Sequence, residues 1–339
     1  MNCRGGPLWA ARLGNSLPYW NNFVTVAFVV AVAVLLGLLL FLVREVRRPS
    51  GPAEWGRKPV GRKRIRIVLS AVLLLIVFVI FWGFFIEPNR LIVREQTIRI
   101  DSWPRELDGL TIAVISDIHA GGSFIDDKKL HLIVDKTNQL HPELIVILGD
   151  YMSSNGWTSR RIEPEVIGAV LKNFSAPYGT YSVLGNHDVW YSARKVRAGL
   201  EQNGIKVLDN EVLQIQVRGV PLWLVGLSDL WTRPQQIAET VAEVPQGQTM
   251  IAMTHNPDIF PDVPQRVPLL LAGHTHGGQV RFPFIGSVVQ SSRFGDRYER
   301  GHIFENKHHL FVTTGIGTSI VPARFGVTPE IVLLTLRSE

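Results

Sequence analysis

Two apolar stretches constrain this chain before anything else does. Phe23 to Val43 and Ile67 to Ile86 contain no charged residue. As a helix rising about 1.5 Å per residue, the first would reach roughly 31 Å, the thickness of a bilayer's hydrocarbon core. Length and lack of polar residues speak against buried soluble helices for both. A cleaved leader would have a shorter apolar core and a small-residue pattern after it, and no such pattern follows the first run. Both runs are expected to be transmembrane helices.

The charge of the chain supports that reading and removes another. The formal net charge is +6 and the isoelectric point about 9.6, a balance that invites nucleic-acid binding. The cations are not spread out. Nine of them lie between Arg44 and Arg66 (Arg44, Arg47, Arg48, Arg57, Lys58, Arg62, Lys63, Arg64 and Arg66), against Glu45 and Glu54. That loop carries +7, which leaves −1 for the rest of the chain, so no phosphate-backbone footprint remains and no nucleic-acid partner is expected. The positive-inside rule puts the loop in the cytoplasm and everything after Ile86 outside it. The expected location is the inner (plasma) membrane, multi-pass, with an extracytoplasmic catalytic domain. A single cysteine, Cys3, excludes an internal disulfide framework and a cysteine-rich zinc site.

From about Leu91 short apolar runs alternate with amphipathic stretches, the pattern of an α/β domain. Strands are expected at Leu110–Ile115, Leu144–Leu148, Thr180–Leu184, Val212–Val217, Leu222–Leu227, Thr249–Met253, Leu269–Ala272, Leu310–Thr314 and Ile331–Leu336. Helices are expected at Asp126–Leu140, Glu165–Lys172, Ala193–Gln202 and Gln235–Val244. The chain thus divides into a membrane anchor, 1–90, with spans at about 23–43 and 67–86, and one globular domain, 91–339.

Five short polar motifs follow expected strands in order: Ser116-Asp117-Ile118-His119, Gly149-Asp150, Gly185-Asn186-His187-Asp188, Thr254-His255-Asn256 and Gly273-His274-Thr275-His276. In open α/β sheets, ligands gather beyond the carboxyl ends of strands, so five strand ends can bring these side chains to one place. The donors are the carboxylates of Asp117 and Asp150, the amide oxygen of Asn186, and the imidazoles of His119, His255, His274 and His276. This mixed nitrogen and oxygen set without thiolate suits Mn²⁺, Fe or Zn²⁺. Seven donors are too many for one catalytic ion with open positions, whereas two ions about 3.5–4 Å apart that share a carboxylate use them all. Any one of these motifs alone is weak, since Asp-x-His serves as a cap and Gly-Asp as a turn; the ordered set of five is the signal.

The set resembles the calcineurin-like metallophosphoesterase superfamily over about Thr111 to Glu339, with all five motifs intact. Gly273 to Gln279, Thr254 to Asp258 and Gly315 to Ser319 are similar to a narrower bacterial membrane-associated branch that includes enzymes acting on UDP-diacylglucosamine. The resemblance implies a four-layer αββα sandwich. It also implies a first ion on Asp117, His119, Asp150 and His276, a second on Asp150, Asn186, His255 and His274, and a non-ligand His187 beside the scissile phosphate. One departure stands out: Gly149 to Gly156 lacks the Asp-Arg-Gly extension of phosphoprotein phosphatases, which argues against that activity and leaves the group that orients His187 unidentified.

The expected activity is a two-metal hydrolysis of a phosphoester or pyrophosphate bond, with His187 as the catalytic side chain that stabilises charge or protonates the leaving oxygen. Mn²⁺ is the expected metal. About thirty residues separate the second apolar run from Asp117, so a lipid-linked phosphorylated substrate is expected. Trp157, Trp190, Tyr191 and Trp231 lie near the motifs as candidate substrate contacts, and Arg293, Arg297 and Arg300 as candidate headgroup contacts. Lipid A precursors bearing UDP are made on the cytoplasmic side, which conflicts with the outward orientation. Two alternatives stay open: a general phosphodiesterase or nucleotide phosphatase, and a non-catalytic membrane metal sensor.

Overall fold

The computed structural model describes residues 35, 37–44, 47, 60–153 and 161–339. The chain divides into two compact units, Met1–Ile86 and Glu87–Glu339. Most of the first expected span lies outside the described residues; its residues 35 and 37–43 are helical. In the first unit, helix α1 (Val60–Phe81) runs on through a π-helical turn, Trp82–Ile86, and the second unit opens on a 3₁₀ turn, Glu87–Asn89. Among the described residues one helix, Ile67–Asn89, is long and apolar enough to cross a membrane by length and composition. Its apolar side chains are turned outward, with Leu75 61% and Phe78 55% exposed, the reverse of a helix in a soluble core.

The second unit is a mixed α/β fold with largely parallel sheets. In chain order its elements are β1 (Ile92–Ile100), β2 (Leu110–Ile115), α2 (Asp127–Asn138), β3 (Leu144–Ile147), α3 (Pro164–Leu171), β4 (Thr180–Ser182), α4 (Asn186–Glu201) and β5 (Lys206–Val207). There follow β6 (Glu211–Val217), β7 (Val220–Gly226), α5 (Ile237–Ala242), β8 (Met250–Met253), β9 (Leu269–Ala272), β10 (Arg281–Phe282), β11 (Gly286–Ser287), β12 (Gly301–Glu305), β13 (His308–Val312) and β14 (Glu330–Ser338). One six-stranded sheet has the order β1-β14-β2-β3-β4-β5, the other β12-β13-β9-β8-β7-β6, and β10 and β11 pair as a small hairpin. Strands β2 to β5 are parallel, as are β7, β8, β9 and β13.

Alternation along the strands builds the layers. Ile112 and Val114 of β2, with Leu144 and Val146 of β3, share one buried cluster with Ile251 and Met253 of β8 and Leu269 and Leu271 of β9, so the two sheets face each other. The intervening residues Ala113, Ile115, Ile145 and Ile147 point the other way, onto Leu130, Ile133 and Val134 of α2 and onto Ile167, Leu171, Val196 and Leu200 of α3 and α4. On the far side of the second sheet, Met250, Ala252, Leu270 and Ala272 meet Ile237 and Val241 of α5. Strands buried on both faces read as continuous apolar runs, which is why Leu144–Ile147 and Leu269–Ala272 stand out in the sequence. Helix α2 carries its own start signal: the Asp126 carboxylate accepts the Lys129 amide at 2.8 Å, an N-cap.

Strands β1, β5, β10, β11 and β12 lie outside the expected set, and helix α4 is longer than expected. Strand β1 was not anticipated, because Arg94, Glu95 and Arg99 interrupt it; it pairs at the sheet edge with β14 over nine residues, where one face meets water. Helix α4 starts at Asn186 rather than near Ala193. The backbone leaves helical geometry at Ser192 (φ 175°, ψ 100°), so the expected helix is the second part and the motif residues form an extra segment before it.

Candidate metal centre

The parallel strands deliver the polar motifs to one place. Asp117 and His119 follow β2, Asp150 follows β3, and Asn186 starts α4 after β4; these come from the first sheet. His255 follows β8, and His274 and His276 follow β9, in the second. The loops after β2 and β3 run side by side: Asp117 donates its amide to the Gly149 carbonyl at 3.0 Å and His119 donates to the Asp150 carbonyl at 2.9 Å. All seven expected donors are at most 6% exposed.

Their atoms converge. Asp150 Oδ2 lies 3.2 Å from His255 Nε2, 3.6 Å from His119 Nε2 and 3.9 Å from His187 Nε2. On one side of it, His276 Nε2 is 3.2 Å from His119 Nε2 and 3.4 Å from Asp117 Oδ1. On the other side, His274 Nδ1 is 3.1 Å from Asn186 Oδ1 and 3.2 Å from His255 Nε2. Two groups of donors therefore meet at one carboxylate. Sets of three potential ligand atoms within 4.8 Å of one another occur at Asp117–His119–His276, at Asp117–Asp150–His255 and at His119–Asp150–His187.

The backbone at these positions is unusual. Asp117 (φ 54°), His119 (47°), Asp150 (57°), His274 (70°) and His276 (51°) all occupy the left-handed region. Each such residue costs on the order of 1–3 kcal/mol and persists only where the surrounding structure imposes it. Five of seven donors held this way mark a site built for geometry rather than stability. Tight contacts impose it: a Cβ on Gly315 (φ 65°) would stand 2.6 Å from the Asp117 Cβ, so only glycine lets that segment lie against the ligand. The same segment bonds back, with Ile316 N–H on the Ser116 carbonyl at 3.1 Å and Gly317 N–H on the Asp117 carbonyl at 2.6 Å.

Hydrogen bonds also set the tautomers. His119 Nδ1 faces the Met152 carbonyl at 3.1 Å, and His255 Nδ1 faces the Leu148 carbonyl at 2.7 Å. A carbonyl only accepts, so both Nδ1 atoms carry the proton and both Nε2 lone pairs point inward. A lone pair of His255 aimed at the Asp150 carboxylate calls for a cation between them. Burial opposes protonation of His255, but Asp150 raises its pKa to about 10. Asp150 is held well below the usual carboxylate range, burial being outweighed by His255 and His187. Burial pushes His274 and His276 well down, and Asp117 Oδ1 has no hydrogen-bond partner among the described residues. Inward lone pairs, an orphaned carboxylate oxygen and neutral imidazoles fit divalent cations.

His187 sits at the rim of this cage, 8% exposed, on the first turn of α4. Burial lowers its pKa to about 4, so the free imidazole is neutral near pH 7. Its Nε2 is 3.5 Å from Ser319 Oγ, which places the Gly315–Ser319 segment beside the residue whose neighbour the motifs left unidentified. Trp190 lies over His187 at 5.0 Å, and Trp231 stands edge-on to His274 at 4.3 Å. Trp157 lies outside the described residues. Arg297 is committed to Glu305 at 2.6 Å.

Three residues of the site are not among the expected ligands. The Asp188 carboxylate accepts four backbone amides, from Asp150 (2.8 Å), Tyr151 (2.9 Å), Met152 (3.1 Å) and Gly185 (2.9 Å). Burial and the charge of Asp150 push it up to about 7, against those donors. Arg324, fully buried, donates Nη2 to the carbonyls of Thr314 and Gly317 at 2.8 and 2.7 Å, behind His276. Asp229, after β7, is 2% exposed, and burial raises its pKa while His255 opposes the rise. Of these, Asp229 follows a buried strand as the five motifs do, which is the signal that singles it out.

Similarity to known proteins agrees with this chemistry. The family profile for calcineurin-like phosphoesterases matches residues 110–278. The uncharacterized metallophosphoesterase YkuE of Bacillus subtilis is 28% identical over 260 residues, 75% of this chain and 88% of that protein. The uncharacterized protein YpbG of the same organism is 32% identical over 231 residues, 67% and 81% of the two chains. The phosphodiesterase YaeI of Escherichia coli is 30% identical over 204 residues, 58% and 70%. The profile match and these relatives, taken with strand ends that gather carboxylates and imidazoles around Asp150, make the chain a calcineurin-like phosphoesterase, a metal-dependent hydrolase of phosphoester bonds.

Proposed function

We propose that the chain is a membrane-anchored dinuclear metallohydrolase that cleaves a phosphodiester or pyrophosphate bond of a lipid-linked substrate. The observation that carries the dinuclear reading is the position of Asp150, whose Oδ2 stands between the Asp117–His119–His276 group and the Asn186–His255–His274 group. In this reading Asp117, His119, Asp150 and His276 hold one ion, and Asp150, Asn186, His255 and His274 the other. Mn²⁺ suits the set, with Fe and Zn²⁺ compatible. When bound, two such ions supply an activated water and neutralise charge on the phosphoryl group.

The protein's own residues do the rest. His119 and His255 are locked by backbone carbonyls with their lone pairs inward, so no rotation precedes metal capture. His187 enters the reaction as a neutral imidazole, its pKa lowered to about 4 by burial. It therefore donates an N–H hydrogen bond to a phosphoryl oxygen as charge develops there, and passes a proton to the leaving oxygen only as that oxygen becomes basic. Trp190 and Trp231, 55% and 46% exposed, form the walls that a substrate meets.

The lipid-linked substrate and the anchor rest on the two apolar runs and on the outward-facing side chains of Ile67–Asn89. The basic loop supports a plasma-membrane, multi-pass arrangement with the hydrolase outside the cytoplasm. Phosphodiester cleavage is favoured by similarity to YaeI, which bears that activity in its name. The test is a screen of purified full-length protein with Mn²⁺ against bis-p-nitrophenyl phosphate and a panel of lipid pyrophosphates. Hydrolysis of at least one lipid compound, lost in Asp150→Ala, is expected. Hydrolysis of soluble esters alone would reject the lipid substrate, and hydrolysis of nothing would favour a metal-binding sensor.

A further inference from the structure

Five residues after the last expected ligand, His276, the chain begins a feature that the hydrolytic centre does not use. From Phe282 to Ser292 there is no charged residue. Strands β10 and β11 form a short hairpin there, joined at Arg281–Ser287 and Phe282–Gly286. Its tip presents Phe284 fully to solvent (108% exposed) and Ile285 at 79%, and Val288 and Val289 beyond it are 61% and 60% exposed. Four large exposed apolar side chains in six residues are the kind of feature that marks an interaction surface. Phe284 also adopts φ 67°, a conformation rare for a bulky residue and held at a cost.

The base of the hairpin is built to hold that tip out. Arg281 bonds Ser287 Oγ at 3.0 Å and Asp296 Oδ1 at 3.1 Å, and it also pairs with Glu299. Its amide donates to the Phe325 carbonyl at 2.7 Å, and the Phe282 and Phe325 rings pack at 4.9 Å. The hairpin is joined to the catalytic rim through Gln279, whose side chain bonds the carbonyls of Ser319 and Val321 at 3.0 and 2.8 Å; Ser319 Oγ in turn is 3.5 Å from His187 Nε2.

We infer that this hairpin tip docks into a lipid bilayer, with Phe284, Ile285, Val288 and Val289 entering the interfacial zone and the metal centre set against lipid headgroups. The inference rests on the proposed membrane anchor. Two features of the chain select a bilayer rather than a protein as the occupant. Only Arg90 and Leu91 separate the apolar helix ending at Asn89 from β1, so the proposed anchor leaves little chain between a bilayer and this domain. The segment from Phe282 to Ser292 itself carries no charge, which suits insertion among acyl chains, and the amides of Ile285 and Val288 are already bonded to the carbonyls of Phe282 and Val280 at 3.3 and 3.0 Å, as insertion requires.

The test places a probe at the tip of the full-length protein. Cys3 is the sole cysteine, so Cys3→Ser provides the background for Phe284→Cys and, as control, Phe304→Cys, whose native side chain is 57% exposed on β12. Each variant is labelled with an environment-sensitive fluorophore and reconstituted into vesicles with and without doxyl-labelled phosphatidylcholine. Retained hydrolysis of bis-p-nitrophenyl phosphate verifies that the variants fold. Docking gives a blue-shifted probe at 284 quenched at least threefold more than the probe at 304. Equal quenching at both positions overturns it. A blue shift at 284 without quenching overturns it too, since the patch is then covered by protein, such as a second copy. Failure of the full-length chain to partition with vesicles at all removes the anchor itself, an outcome separate from loss of tip quenching in a chain that does partition.

Discussion

Replacing Asp188 with asparagine tests how the cage is held. The two carboxylate oxygens of Asp188 accept two backbone amides each: Oδ1 takes Tyr151 and Met152, Oδ2 takes Asp150 and Gly185. Asparagine keeps the shape but turns one acceptor into an NH₂ group, so two buried amides lose their partner and face another donor. An unsatisfied buried donor costs about 1–3 kcal/mol, which makes the change worth about 2–6 kcal/mol. For a unit of this size, about 1 kcal/mol corresponds to about 2–4 °C in Tm, so a fall of roughly 4 °C at the least is expected in a melt followed by tryptophan fluorescence in EDTA. The amides involved flank Asp150, so metal affinity should fall with stability, and added Mn²⁺ should restore less Tm than in the parent. If Asp188→Asn melts within a degree of the parent and regains the same Tm with Mn²⁺, the carboxylate does not hold the Asp150 loop, and the reasoning from its four bonds is wrong.

Other changes should separate chemistry from scaffold. His187→Ala is expected to lower kcat by about 10²–10³-fold while metal content stays at the parent value, the cost of one hydrogen-bond donor to a developing oxyanion; full kcat would remove His187 from the reaction. Gly315→Ala should cost about 1–3 kcal/mol, read as a lower Tm, because a left-handed backbone and a 2.6 Å approach to Asp117 leave no room for a methyl group. An unchanged Tm would show that this segment yields freely. Chelation should destabilise the parent: at free Mn²⁺ one hundred times its Kd, binding contributes about 2.7 kcal/mol per site, or roughly 5–11 °C. Equal Tm with and without EDTA would contradict binding to the folded state.

Much of the site is visible in the sequence because its logic is local. Most ligand motifs follow strands buried on both faces, and such strands are short apolar runs bounded by glycine, as at Leu144–Gly149 and Leu269–Gly273. What is hidden depends on partners far along the chain. Asp188 closes a motif, yet its bonds to Tyr151 and Met152 span 37 and 36 residues. Arg324 looks like a surface cation, and its burial among the carbonyls of Thr314 and Gly317 is a property of the folded loop alone. Strand β1 is obscured by its charges, since an edge strand needs apolar residues on only one face. The left-handed backbone at Asp117, His119, Asp150, His274 and His276 carries no composition signal at all, because glycine, which would announce it, cannot ligate a metal.

The most direct test of the dinuclear reading is the metal content of the purified full-length protein, determined by mass spectrometry after incubation with Mn²⁺ and removal of free ions. Two equivalents per chain are expected in the parent and fewer than one in Asp150→Ala, which loses the shared carboxylate. One equivalent or none in the parent, or two retained in Asp150→Ala, would contradict a pair of ions held about Asp150.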